Sequence, residues 1–101
     1  MPVKLGTVNT FPNVKADKPQ ALKPLEEASE VRQAWTMLCG TQTGTATCAE
    51  CTYKCKSFDD LVGECADTIQ AVCNLLAALG VDDMRDAMSA CEERNRARGW
   101  L

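Results

Sequence analysis

The stretch SFDDLVGECADTIQAVCNLLAALG, residues 57–80, carries the longest helical period in the sequence. Its apolar residues recur every three or four positions, which is typical of one side of an α-helix. Ser57 and Asp60 resemble a capping box at the start, and Gly80 stands where glycine ends many helices. The stretch therefore predicts a long amphipathic helix, whose buried side is expected to comprise Leu61, Val62, Cys65, Ala66, Ile69, Val72, Cys73, Leu76 and Leu79.

One further helix is predicted on each side of this stretch. The first covers residues 25–38, with Pro24 as a first-turn residue and Gly40 as the stop. The last begins after Asp82 or Asp83 as a cap and follows an apolar stripe from Met84 to Cys91. Because no segment alternates as a β-strand does, the predicted fold class is all-α.

The rest of the sequence is predicted to form an arm and a loop. Residues 1–24 contain all four prolines and no sustained period, which predicts an extended N-terminal arm with at most a short turn of helix. Residues 25–101 form the predicted helical domain, with a Cys-rich loop inserted at about residues 39–56.

Composition limits the classes of function. The net charge of −3 gives no basic surface for a nucleic acid polymer, and no apolar run serves as a signal peptide or crosses a membrane. We therefore expect a cytoplasmic protein without a membrane or nucleic acid partner. Three helices of roughly 50 residues in total bury their apolar faces poorly alone, which predicts a homodimer or homotetramer.

Acidic residues border the apolar stripes of the first two predicted helices. Glu27 and Glu30 are three residues apart, and Glu64 and Asp67 repeat this spacing. If the helices pack antiparallel, four carboxylates converge and need protons or cations, and hard oxygen ligands favour Mg²⁺ or Mn²⁺. Paired divalent ions are typical of phosphoryl transfer. The alternative is that the carboxylates form an ordinary solvated face.

The motifs Glu26-Glu27-Ala28-Ser29-Glu30 and Glu64-Cys65-Ala66-Asp67 resemble those of the MazG-like, all-α nucleoside triphosphate pyrophosphohydrolases. The terminal segment ACEERNRARGW is similar to the closing basic helix of that family, so the likeness covers roughly residues 22–38 and 58–101. It implies a helical bundle completed by homo-oligomerisation.

The resemblance also implies an activity, namely Mg²⁺-dependent hydrolysis of a nucleoside triphosphate to the monophosphate and pyrophosphate. Water would attack the α-phosphorus, in a house-cleaning or nucleotide-pool role. The residues that match the family's metal ligands are Glu27, Glu30, Glu64 and Asp67, with Glu26 in the outer shell or orienting water. Asn95 matches an asparagine beside the nucleotide, and the arginines that would meet the phosphates are Arg94, Arg96 and Arg98.

The Cys-rich loop departs from the family pattern. Its four cysteines offer thiolates to a tetrahedral Zn²⁺, while free thiols or an incidental disulfide are the alternatives; they are Cys39, Cys48, Cys51 and Cys55. Two other functions stay open at this point. One is a non-enzymatic helical metal-binding or assembly module, and the other is a degenerate family member that binds nucleotides without hydrolysing them.

Overall fold

The computed structural model describes residues 1–38 and 56–101. These residues form three α-helices, which are α1 (Lys18–Met37), α2 (Lys56–Ala78) and α3 (Arg85–Ala97), and they contain no β-strand. The predicted all-α class is therefore confirmed for this part of the chain. The predicted Cys-rich loop, apart from Lys56, lies outside the described residues.

Helix α1 begins at Lys18, seven residues before Leu25, so the predicted start of the first helix was wrong. The side chain of Asp17 caps the helix by accepting a hydrogen bond of 3.0 Å from the backbone N–H of Gln20. Pro19 occupies the first turn, where proline is tolerated, and Pro24 lies inside the helix. The cap at Asp17 thus starts the helix, and residues 1–17 precede it.

Helix α2 ends close to the predicted position, and its end shows why Gly80 is needed. Gly80 has a φ of 79°, which other residues rarely adopt, and its N–H donates to the carbonyl of Ala77 at 2.9 Å. The N–H of Val81 donates to the carbonyl of Leu76 at 2.8 Å. These two bonds form a Schellman motif, which satisfies carbonyls that the helix leaves without partners.

Helix α3 begins at Arg85 rather than directly after an aspartate cap. Met84 occupies the N-cap position and makes no side-chain capping bond. Asp83 nevertheless lies at this end, because its Oδ1 accepts from the backbone N–H of Arg85 at 3.0 Å and its Oδ2 pairs with the guanidinium at 2.7 Å. The ion pair lowers the pKa of Asp83.

Contacts between helices are confined to α1 and α2, which are the only pair among the three described helices to pack together. Gln20 of α1 lines a cavity with Asn74 of α2, whereas Met37 at the other end of α1 lines a different cavity with Gly63. The two helices are therefore antiparallel, as expected.

Few of the side chains in residues 1–38 and 57–101 are buried. Among the described residues only three side chains lie in the interior, and these are Leu38, Ala71 and Asn74. The prediction of a buried apolar stripe on α2 was therefore wrong in part for the single chain, since Val62, Val72 and Leu79 are exposed.

The N-terminal arm crosses α2 and is held there by hydrogen bonds. The N–H of Phe11 donates to Oδ1 of Asn74 at 3.1 Å, and Nε2 of Gln70 donates to the carbonyl of Asn9 at 2.9 Å. Residues 9–11 are thus attached to the C-terminal half of α2.

Candidate metal centre

Three glutamates meet where α1 and α2 face each other. Glu27 and Glu30 come from successive turns of α1, and Glu64 comes from α2. One carboxylate oxygen from each lies within 4.8 Å of the other two. The antiparallel packing therefore brings together three of the four carboxylates that the sequence singled out as metal ligands.

Asp67, the fourth expected ligand, lies close enough to act on the same charges. It lines a cavity together with Glu30 and Glu64, and its negative charge raises the pKa of both Glu27 and Glu64. All four carboxylates consequently share one region of electrostatic repulsion.

The repulsion and burial favour protonated carboxyl groups. Burial is the main cause that raises the pKa of Glu64, followed by the charges of Glu30 and Asp67. The pKa of Glu27 is raised first by a hydrogen bond to Glu30, then by burial and the neighbouring charges, while Lys23 opposes the shift. Both shifts favour the protonated forms of Glu27 and Glu64 over their carboxylates when no cation is bound.

One oxygen of the centre has no hydrogen-bond partner among the described residues. Oε2 of Glu64 is buried, and no described residue donates a hydrogen bond to it. A buried carboxylate oxygen without a partner is costly, and a cation is one group that satisfies it. Because every donor here is a carboxylate oxygen, the set fits a hard divalent cation such as Mg²⁺ or Mn²⁺.

A cavity of about 550 Å³ opens beside the carboxylates. Glu30, Glu64 and Asp67 form its acidic side, and Ala34 and Met37 contribute apolar surface from α1. The cavity is wide enough for a ligand to reach the carboxylates from solvent.

Glu26 lies apart from this group. Its carboxylate pairs with the ammonium of Lys23 at 3.2 Å, and both side chains are more than half exposed. The hydrogen bond to Glu26 is the main cause that raises the pKa of Lys23. The suggested role of Glu26 in the outer shell or in orienting water stays a prediction.

The nucleotide-binding residues expected on α3 do not reach the carboxylates within one chain, because α3 contacts neither α1 nor α2. Nδ2 of Asn95 donates to Sγ of Cys91 at 3.6 Å, Arg96 pairs with Glu92 at 3.5 Å, and Arg98 lies over the ring of Trp100. The expected contacts of Asn95, Arg94 and Arg98 with a nucleotide would therefore need another copy.

The cysteines divide into two groups. Those expected to bind Zn²⁺, namely Cys39, Cys48, Cys51 and Cys55, lie outside the described residues. Cys65, Cys73 and Cys91 are free thiols, of which Cys65 is exposed rather than part of a core.

Sequence reasoning missed the contribution of the arm to this region. Phe11, Gln70 and Asn74 line a cavity that also includes Glu27 and Asp67. The available signal was Asn74, a polar residue within the apolar run 71–79, because such a residue needs a hydrogen-bond partner when buried.

Comparisons of the chain with models of protein families, with curated proteins and with solved structures gave no match. Within residues 1–38 and 56–101, none of the helices combines the length and the apolar character needed to cross a membrane.

Proposed function

We propose that the protein is a Mg²⁺- or Mn²⁺-dependent nucleoside triphosphate pyrophosphohydrolase, with a house-cleaning or nucleotide-pool role in the cytoplasm. The observation that carries the proposal is the convergence of Glu27, Glu30 and Glu64 at an open cavity, with Asp67 alongside. The resemblance to MazG-like motifs supplies the reaction, and the geometry supports it because motif carboxylates distant in sequence come together.

The residues that would hold the metal are Glu27, Glu30, Glu64 and Asp67. When bound, divalent ions would neutralise phosphate charge and lower the pKa of a coordinated water. Cation binding would compete with protons for Glu27 and Glu64, whose pKa values are raised, and would give the buried oxygen of Glu64 a partner. Metal affinity is therefore expected to rise with pH.

The proposal includes a homodimer or homotetramer. Its support is the small interior of the single chain, in which Trp35, Val62 and Met88 are about half exposed. Helix α3 has no helix partner among the described residues. A second copy that covered these surfaces would add the apolar burial that one chain lacks, and would let Asn95 and the arginines of α3 approach a neighbouring centre.

The test is an assay of pyrophosphate release from a panel of canonical and modified nucleoside triphosphates. Each substrate is assayed with Mg²⁺, with Mn²⁺ and with EDTA. We expect release that requires the metal and yields one nucleoside monophosphate per pyrophosphate. Release that persists in EDTA, or none from any substrate, would contradict the proposed function.

The matched variants are Asp67→Asn and Glu93→Gln. Asp67→Asn removes one charge from the centre and should abolish release. Glu93→Gln removes one exposed charge from α3, distant from the carboxylates, and should leave the rate unchanged. Pyrophosphate release by the Asp67→Asn variant at the wild-type rate would show that Asp67 is not part of the metal centre.

A further inference from the structure

A second cavity, of about 270 Å³, adjoins the carboxylates, separate from the cavity of about 550 Å³ described above. Glu27 and Asp67 of the candidate metal centre form part of its lining, and Phe11, Gln70 and Asn74 form another part. Asp67 lines both cavities. A ligand whose phosphates were held at the carboxylates through a divalent cation would therefore have room for a neighbouring group in this second cavity. Its volume suits one ring system rather than a large ligand.

Asn74 offers this cavity a hydrogen-bond donor. Its side chain is almost completely buried, at 4% exposure, and its Oδ1 accepts from the N–H of Phe11. Because a backbone N–H can only donate, this bond fixes which amide atom of Asn74 is oxygen. Oδ1 also accepts from Nε2 of Gln70 at 3.0 Å. Nδ2 is left as a donor that no described residue uses.

Gln70 offers an acceptor next to that donor. Its Nε2 gives one hydrogen bond to the carbonyl of Asn9 and one to Oδ1 of Asn74, which uses both amide hydrogens. Oε1 of Gln70 is then the remaining group of this amide, and it can only accept. The two amides, one helical turn apart, thus keep one donor and one acceptor that no described residue uses, and both residues line this cavity.

Phe11 provides an aromatic surface to this cavity. Its side chain is 60% exposed, although its backbone is fixed by the bond to Asn74. An exposed aromatic ring leaves apolar surface in water. A flat aromatic ligand that stacked on the ring would remove one face of each ring from water.

From these contacts we infer that the second cavity binds the aromatic base of the nucleotide, with Phe11 stacking on its face and Asn74 and Gln70 hydrogen-bonding to its edge. The inference rests on the proposed function for the placement of the phosphates at the carboxylates. It assigns base recognition to the N-terminal arm and α2 of one chain, and not to α3.

The experiment compares two kinds of ligand, one with a nucleoside and one without. One is a set of nucleoside triphosphates with an imido bridge between the α- and β-phosphorus atoms, which resist hydrolysis, and the other is inorganic tripolyphosphate. Calorimetry in Mg²⁺ gives the Kd of each for the wild type, Phe11→Ala, Phe11→Trp and Leu5→Ala. Leu5 is an exposed apolar residue of the same arm that does not line this cavity, so it is the matched control.

Phe11→Ala should raise the Kd of the nucleotide analogues by about 5- to 150-fold, the range for loss of one stacked base. The Kd of tripolyphosphate should not change. Phe11→Trp keeps an aromatic ring at this position, so its Kd for the nucleotide analogues should stay close to that of the wild type. Leu5→Ala should bind both ligands as the wild type does. Phe11→Ala keeps the backbone bond to Asn74, and circular dichroism confirms that each variant is folded.

An equal loss for both ligands would overturn the inference, because Phe11 would then act only by holding the arm. So would unchanged nucleotide affinity in Phe11→Ala, even if the wild type releases pyrophosphate, in which case the proposed function stands alone. Conversely, nucleotide binding that depends on Phe11 in a protein that releases no pyrophosphate would keep the inference and reject the enzymatic function.

Discussion

Phe11 and Asn74, 63 residues apart in sequence, are joined by a hydrogen bond of 3.1 Å from the backbone N–H of Phe11 to Oδ1 of Asn74. Asn74 follows Glu64 and Asp67 on α2, so the arm is attached to the helix that supplies half of the candidate metal ligands. Changes at Asn74 should therefore affect both the stability of the chain and the position of the arm.

Replacing Asn74 with alanine should lower the free energy of unfolding by about 1 to 3 kcal/mol, because the N–H of Phe11 and Nε2 of Gln70 lose a buried acceptor. Urea unfolding measures this change, and faster amide exchange at Phe11 reports release of the arm. Asn95→Ala is the control, since the only partner of the Asn95 side chain among the described residues is Cys91, at 3.6 Å. Amide exchange at Phe11 that is as slow in Asn74→Ala as in the wild type would show that the hydrogen bond to Asn74 does not hold the arm.

Glu64→Gln should abolish turnover without destabilising the metal-free fold. The carboxylate of Glu64 is partly buried beside Glu30 and Asp67, so an uncharged amide relieves repulsion. The expected free energy of unfolding in EDTA is equal to or above that of the wild type, whereas stabilisation by Mg²⁺ should be largely lost. Thermal unfolding with EDTA and with Mg²⁺ measures both quantities. Wild-type turnover in this variant would exclude Glu64 from the site.

The pH dependence of stability follows from the two raised pKa values. The pKa of Glu27 and that of Glu64 lie above the ordinary value of 4.5, so the folded chain keeps protons that the unfolded chain has released. The contribution of these groups to the free energy of unfolding is therefore present below pH 4.5 and is lost as pH rises through the raised values. Mg²⁺ replaces the protons, so its stabilising effect should grow over the same window.

Urea unfolding across this pH range, with EDTA and with Mg²⁺, checks the prediction. The double variant Glu27→Gln, Glu64→Gln serves as the reference, because subtracting its curve removes contributions from other titrating groups. A wild-type curve in EDTA that rose with pH relative to the double variant would contradict the assigned shifts.

Trp35→Ala should weaken assembly or folding. Trp35 lies on α1 and is 46% exposed in the single chain, a large apolar surface for a second copy to cover. Sedimentation should give a smaller average mass for this variant than for the wild type at equal micromolar concentration. Trp100→Ala is the control, because Trp100 lies beyond α3 and contacts Arg98. If the wild-type protein sediments as a monomer at micromolar concentration, the proposed oligomer is wrong.

Local signals predicted the helices well because helix ends depend on neighbouring residues. Gly80 ends α2 through bonds to Leu76 and Ala77, all within a few positions of one another. The start of α1 was placed too late because Pro24 fits the first-turn preference as well as Pro19 does. Only the cap at Asp17 distinguishes the two starts, through its bond to Gln20.

The candidate site could be predicted only as far as the spacing of its carboxylates allowed. The pairs Glu27 with Glu30 and Glu64 with Asp67 are visible in sequence. Antiparallel packing brings Glu27, Glu30 and Glu64 together, and Asp67 lines the adjoining cavity. The ion pair that draws Glu26 toward Lys23 and the docking of residues 9–11 on α2 were not predicted. Contacts over more than 60 positions depend on the folded path of the chain, which no local pattern encodes.

The arm attachment also sets an order of events during translation. Phe11 is synthesised well before its acceptor, and at about 5 to 20 residues per second the 63 residues from Pro12 to Asn74 take roughly 3 to 13 s to synthesise. Throughout that interval the nascent arm has no α2 on which to dock. The cavity between arm and helix is therefore completed only after translation has passed Asn74, later than the local turns of α1 can form.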